Sequence, residues 1–219
     1  ETFTILWDAL PMALFAALVA IGATLAIEHW GGTLGGLLGT IPSTIVPASL
    51  GLFAQSPGVD AYAEAMDLVP VGMFLNVLFL YVWRVVPPRL PRCSMTSALS
   101  LMTIISLMFW FLGALVLVFL GEFLSQHFSV FYYGLVVTGM MLLLGIWGCR
   151  HNPASPKGHR KVGLFTLLVR GCLAASAIAL SILIAAKGGS FWAGVVSVFP
   201  AIFLTTMVSL WFSQGRTVS

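Results

Sequence analysis

Seven long apolar stretches, at 9–27, 33–55, 68–86, 97–120, 129–148, 164–186 and 191–213, constrain the fold of this chain more than any other feature. A helix rising about 1.5 Å per residue needs about 20 apolar residues to cross a hydrocarbon core of roughly 30 Å. Inside that core every backbone N–H and C=O must be satisfied by the chain itself, which leaves helices or closed barrels. The stretches are too long and too continuous for barrel strands, which alternate over about ten residues. Composition agrees, with 59% hydrophobic and 8% charged residues against about 25% charged in soluble domains. The expected fold is all-α, a polytopic transmembrane helical bundle of about seven helices in a lipid bilayer. The first stretch reads as a span and not as a signal peptide, because Glu1 and Asp8 stand where a signal has basic residues.

Charge placement predicts the orientation. Arg84, Arg89 and Arg92 share one short connection, and Arg150, Lys157, Arg160 and Lys161 share another. Basic short loops mark the cytoplasmic side. Seven crossings with those loops inside place the N-terminus outside and Arg216 inside, in the cell (inner or plasma) membrane. With Arg170 at the inner edge of the sixth stretch, nine of the ten basic residues then face inward. Glu1, Asp8, Asp60, Glu64, Asp67 and Glu122 face outward, leaving Glu28 and Lys187 as the exceptions.

A repeat lies across this topology. Moving the chain by 158 residues superimposes Gly31 on Gly189, Gly36 on Gly194, Pro42 on Pro200 and Leu52 on Leu210. The first and sixth stretches would then correspond, and five crossings separate them, so the two units must run in opposite directions. Inverted repeats of this kind are a construction plan of secondary transporters. The expected units are 1–121 as a first copy, 122–161 as a linking helix with a basic loop, and 162–219 as a partial second copy. The second copy lacks counterparts of the third and fourth stretches, so the sequence reads as a fragment, as one completed by a partner, or as a chance match within an apolar background, and the fragment is the expected case.

Within each unit the second stretch carries the unusual chemistry. Gly35, Gly36, Gly39, Pro42, Pro47 and Gly51 are interleaved with Thr40, Ser43, Thr44 and Ser49; Gly194, Ser197, Pro200, Thr205, Thr206 and Ser209 repeat the arrangement more mildly. Proline removes a backbone donor and its ring strikes the carbonyl one turn back, so breaks are expected at Pro42 and Pro200. Carbonyls freed near Leu38 and Val196 should find hydroxyls, water or solute, because irregular backbone at membrane depth is buried in protein or lines a wet cavity. Small residues and hydroxyls in such helices equally serve close packing. The candidate solute site is Thr40, Pro42, Ser43, Thr44, Ser197, Pro200, Thr205 and Thr206, with Asn76 of the third stretch as an interhelical hydrogen-bond donor or a further ligand.

The remaining ionisable groups read as interfacial. Arg170 lies nine residues beyond Lys161, about 13 Å along a helix, and is expected to snorkel to the inner interface. Glu28, His29 and Trp30 read as an interfacial group, and Asp60, Glu64 and Asp67 as a solvated outer face. Cys149, His151 and His159 match no common zinc spacing, and Cys93, Cys149 and Cys172 imply no disulfide framework. With no nucleotide-binding glycine loop, His-Glu metal pair or serine elbow, no enzyme activity, metal or cofactor is expected. The basic balance reflects inner loops and gives no reason to expect nucleic-acid binding.

One resemblance follows from these segments. The run from Trp192 to Pro200, a helix like that opening Leu68-Val69-Pro70-Val71-Gly72-Met73-Phe74, and the join from Trp83-Arg84 to Arg89-Leu90-Pro91 leading into 97–120 resemble the small four-helix GlpM-type membrane proteins. The resemblance implies a duplicated, small-transporter-like architecture, and no binding residue is carried over from it. The functional expectation is a secondary transporter, or part of one, that moves a small polar solute or a monovalent ion by alternating access. The lack of buried carboxylates argues against multivalent metals. The alternative is a non-transporting subunit whose apolar faces are covered by a homo-oligomer or a membrane-complex partner.

Overall fold

The computed structural model describes residues 2–30, 43–90, 94–150 and 163–214, with the side chains of 2, 27–28, 148–150, 209–210 and 212–214 left aside. Among the described residues there are nine α-helices and no strands: α1 (Thr2–Trp30), α2 (Ile45–Gln55), α3 (Val59–Asp67), α4 (Val69–Val85), α5 (Met95–Ser125), α6 (Val130–Arg150), α7 (Leu164–Ala186), α8 (Ser190–Val196) and α9 (Ala201–Gln214). Six segments are long and apolar enough to cross a membrane: Phe3–Ala26, Val59–Val85, Met95–Ser125, Val130–Trp147, Leu164–Ala186 and Ser190–Val208. The all-α polytopic bundle is therefore the observed fold. The second expected span is described only from Ser43 onward, where it forms the shorter α2. The third begins earlier than expected, because α3 runs almost directly into α4.

Local chemistry explains these boundaries. Thr44 is the N-cap of α2, and its carbonyl accepts the first helical bond from Ala48 N at 3.2 Å. That start puts Pro47 in the first turn, where a missing N–H costs nothing. Leu68 ends α3 and caps α4, with Pro70 again in a first turn. The acids of α3 correct an expectation. Asp60 is exposed, but Glu64 and Asp67 are half-buried, and Glu64 accepts a hydrogen bond from the Ser190 hydroxyl at the start of α8.

The longest interface in the bundle is the α1–α7 pair, and it is antiparallel. Thr24 near the end of α1 meets Arg170 near the start of α7, whereas Met12 near the start of α1 and Ile182 near the end of α7 both approach Gly51 of α2. A second body forms around α4, where Leu75, Phe79 and Trp83 pack with Met102, Trp110 and Val118 of α5 and with Val195, Leu204 and Trp211. The bundle thus has an end carrying Asp60, Glu64 and Asp67 and an end carrying Arg84 and Arg89. Trp83 and Trp211 meet edge to face near the latter, with ring centres 5.4 Å apart. Lipid-facing surface is extensive on α5 and α6, where Phe119, Phe123, Phe131, Tyr132 and Leu143 are all exposed. In an apolar solvent that exposure carries no hydrophobic penalty.

Candidate functional site: a helix break beside a buried arginine

The last span is broken where proline predicts. Helix α8 ends at Val196 and α9 begins at Ala201, leaving a turn at 197–200. Pro200 has no N–H to give to the Val196 carbonyl, so Phe199 N reaches it instead at 3.1 Å. Pro200 then opens α9 by accepting from Leu204 N at 2.8 Å. Side chains bind three further carbonyls in and around the turn. Ser181 Oγ donates to Ala193 O at 2.6 Å, Ser197 Oγ to Gly194 O at 2.7 Å, and Asn76 Nδ2 to Val198 O at 2.8 Å. Asn76 Oδ1 in turn accepts from Trp110 Nε1 at 3.0 Å, so both ends of the buried amide are used.

The expectation for Val196 is therefore corrected: a main-chain N–H of the turn satisfies it, and hydroxyls serve Ala193 and Gly194. Close packing accompanies this bonding. A Cβ at Gly72 of α4 would lie 2.2 Å from Val198 Cγ2 and 2.8 Å from the Val195 carbonyl oxygen. One at Gly194 would lie 2.1 Å from the Ala65 carbonyl oxygen, so α8 lies directly against the main chain of α3. On the other side of the turn, Phe199 joins Leu107, Met108, Trp110, Phe111 and Leu112 in lining an open apolar groove of about 420 Å³ on α5.

One turn beyond the break is the feature that sequence reasoning misread. Arg170 does not snorkel; it is 2% exposed. Its Nε donates to Thr205 Oγ1 at 2.7 Å, Nη1 to Thr24 Oγ1 at 2.6 Å and Nη2 to Thr206 Oγ1 at 2.9 Å. Two of those hydroxyls also donate to their own helices, Thr24 to Ala20 O at 2.7 Å and Thr205 to Ala201 O at 2.8 Å. Each such threonine spends its proton on a carbonyl one turn back and offers a lone pair to the guanidinium. Arg170 thereby joins α1, α7 and α9 through a planar group with five donors, which suits bonding in several directions better than an ammonium would.

The sequence-derived residues divide accordingly. Thr205 and Thr206 bind Arg170, and Ser197 and Pro200 belong to the turn, so these four lie along one discontinuous span, which Asn76 reaches from α4. Ser43 and Thr44 begin α2 elsewhere; the buried Ser43 hydroxyl has no hydrogen-bond partner among the described residues, and Thr44 makes no side-chain cap. Thr40, Pro42 and Leu38 lie outside the described residues, as do Cys93, His151 and His159 and the side chains of Glu28 and Cys149. Thr24 was not singled out from sequence. Its one legible signal is a hydroxyl inside an otherwise apolar helix. No family model, curated protein or solved structure matches the chain.

Proposed function

We propose that this chain is a secondary transporter, or part of one, for a small polar solute or a monovalent ion, built on an inverted repeat with its N-terminus outside the cell membrane. The observation that carries the reading is the buried guanidinium of Arg170, bonded to threonines of α1 and α9 one turn from a broken membrane helix. Ionisable groups at membrane depth are costly to bury and tend to mark solute paths. Discontinuous helices offer main-chain polar groups at the same depth. The antiparallel course of α1 and α7 and the break at Pro200 support the repeat, and the resemblance to GlpM-type proteins fits a duplicated small transporter.

A non-transporting subunit of a membrane complex is the second reading. It is favoured by the close packing of α4 on the turn at Gly72 and by the exposed apolar faces of α5 and α6. The two readings differ in whether water reaches the arginine cluster. In a chain with Cys93, Cys149 and Cys172 replaced by serine, Thr206→Cys should react with a membrane-impermeant thiol reagent, from one side of the vesicle or the other as the conformation changes. Protection from both sides under every condition would exclude transport through this cluster and leave the subunit reading.

A further inference from the structure

The 158-residue shift that aligns Pro42 with Pro200 also relates two clusters that were not used to find it. It takes Met12 to Arg170, Thr24 to Ile182, Ala48 to Thr206 and Gly51 to position 209. In an inverted repeat a contact between residues of the two copies has a mate with the copies exchanged. The Thr24–Arg170 contact therefore has Met12 and Ile182 as its mate, and the Arg170–Thr206 contact within the second copy corresponds to Met12 and Ala48 within the first. Those three residues form one buried apolar cluster with Ala9, Ala16 and Ile178. A Cβ at Gly51 would lie 2.2 Å from Ile182 Cδ1 and 3.4 Å from Met12 Cβ. The α1–α7 pair is thus closed at the acidic end by an apolar cluster and at the basic end by the arginine cluster, in equivalent places.

The two closures are not in equivalent states. Helix α2 packs against both α1 and α7, whereas its counterpart α9 packs against α7, α5 and α4. Arg170 reaches from α7 to Thr24 of α1 at the place where α2 makes direct contact in the other copy. We infer that the chain has a second conformation in which α9 moves between α7 and α1, taking the seat that α2 now holds, while α2 withdraws. The proposal rests on the inverted-repeat reading. It identifies the moving parts as α2 and α9, with the turn at 197–200 as the hinge of the latter. Arg170 and Thr24 are buried in the present conformation, but water can replace hydrogen bonds to hydroxyls more readily than apolar contacts, so the basic end is the closure that opens first. Two packings of equivalent contacts also give the discrete states that a switching element requires.

Two disulfides test this. In the cysteine-replaced chain, Gly51→Cys with Ile182→Cys reports the seat of α2, and the mate pair Thr24→Cys with Ser209→Cys reports the seat of α9. Removing the Ile182 side chain leaves room for the Cβ at 51. Mild oxidation in membranes should link each pair in separate molecules, and the chain carrying all four cysteines should yield singly linked molecules with no doubly linked species. Linking 24 to 209 should also abolish thiol labelling of Thr206→Cys from the basic end. Doubly linked molecules, or a 24–209 pair that never links while 51–182 does, would overturn the exchange. If these variants fail to accumulate, Ala48→Cys with Ile178→Cys and its mate Ala20→Cys with Thr206→Cys ask the same question at another level. Exclusive linking without Thr206→Cys labelling from both sides would keep the two conformations and sink only the transport reading.

Discussion

The turn at 197–200 and the Arg170 cluster are neighbours along α8 and α9, yet they bury polar groups by opposite means. At the turn, main-chain carbonyls are met by neutral donors from α4, α7 and the turn itself, and glycine lets α3 and α4 approach until little space is left. At Arg170 a cation is met by three threonine hydroxyls from two other helices. A neutral amide bonded at both ends is a stable way to close a gap, because no desolvated charge remains. A guanidinium joined to neighbours on separate helices is different: its bonds can pass to water if the helices part. The comparison separates an anchored pivot, the turn, from a contact that can part, the arginine cluster, within one discontinuous span.

Removing the arginine's acceptors should give the largest effect. Thr24→Val with Thr205→Val keeps the packing volume but strands two guanidinium donors, and should destabilise the chain by about 3 to 5 kcal/mol, measured by reversible unfolding in mixed micelles. A loss below about 1 kcal/mol would mean that water already serves those donors, and the contrast with the turn would widen. Next comes Asn76→Leu, which leaves Val198 O and Trp110 Nε1 without the amide and should cost about 2 to 4 kcal/mol. Adding Trp110→Phe should recover about 1 kcal/mol of it, since one stranded donor is then gone. If the double variant is no better than the single, the indole has found another acceptor. Ser181→Ala should show the smallest change, below about 1 kcal/mol, as expected for a single interhelical bond in a membrane protein. Ala193 O keeps the Ser197 main-chain donor at 3.0 Å. A larger loss would mean that the α7–α8 contact is among the contacts that can part.

Several of these features were legible before any coordinates. The apolar stretches named the spans because the bilayer sets a length that few other environments demand. Proline at 200 named the break because its missing N–H is a property of the residue itself. Asn76 was read as an interhelical hydrogen-bonding residue, since an amide within an apolar span must find a partner somewhere. Arg170 was misplaced for an equally physical reason. Its distance from the basic loop allowed snorkelling, and nothing local recorded that α1 and α9 would cover it. Glu64 and Asp67 were read as part of a solvated outer face, but α8 and α6 fold over α3: Ser190 reaches Glu64, and Gly134 lies against the Asp67 carbonyl.

The sequence by itself determined the solvent, the helical fold and the place where the last span breaks, because each depends on hydropathy or backbone chemistry within one segment. Only the tertiary structure decided which polar groups meet. Thr24 and Arg170 are 146 positions apart, and Asn76 and Val198 are 122 apart. Pairings at such separations depend on how antiparallel helices register, and hydroxyls and amides are common enough that local pattern does not choose among them. The register of α1 against α7 brings Thr24 to Arg170 at one end of the pair and Met12 to Ile182 at the other, and the packing of α9 and α2 adds Thr205 and Thr206 to the first and Ala48 to the second.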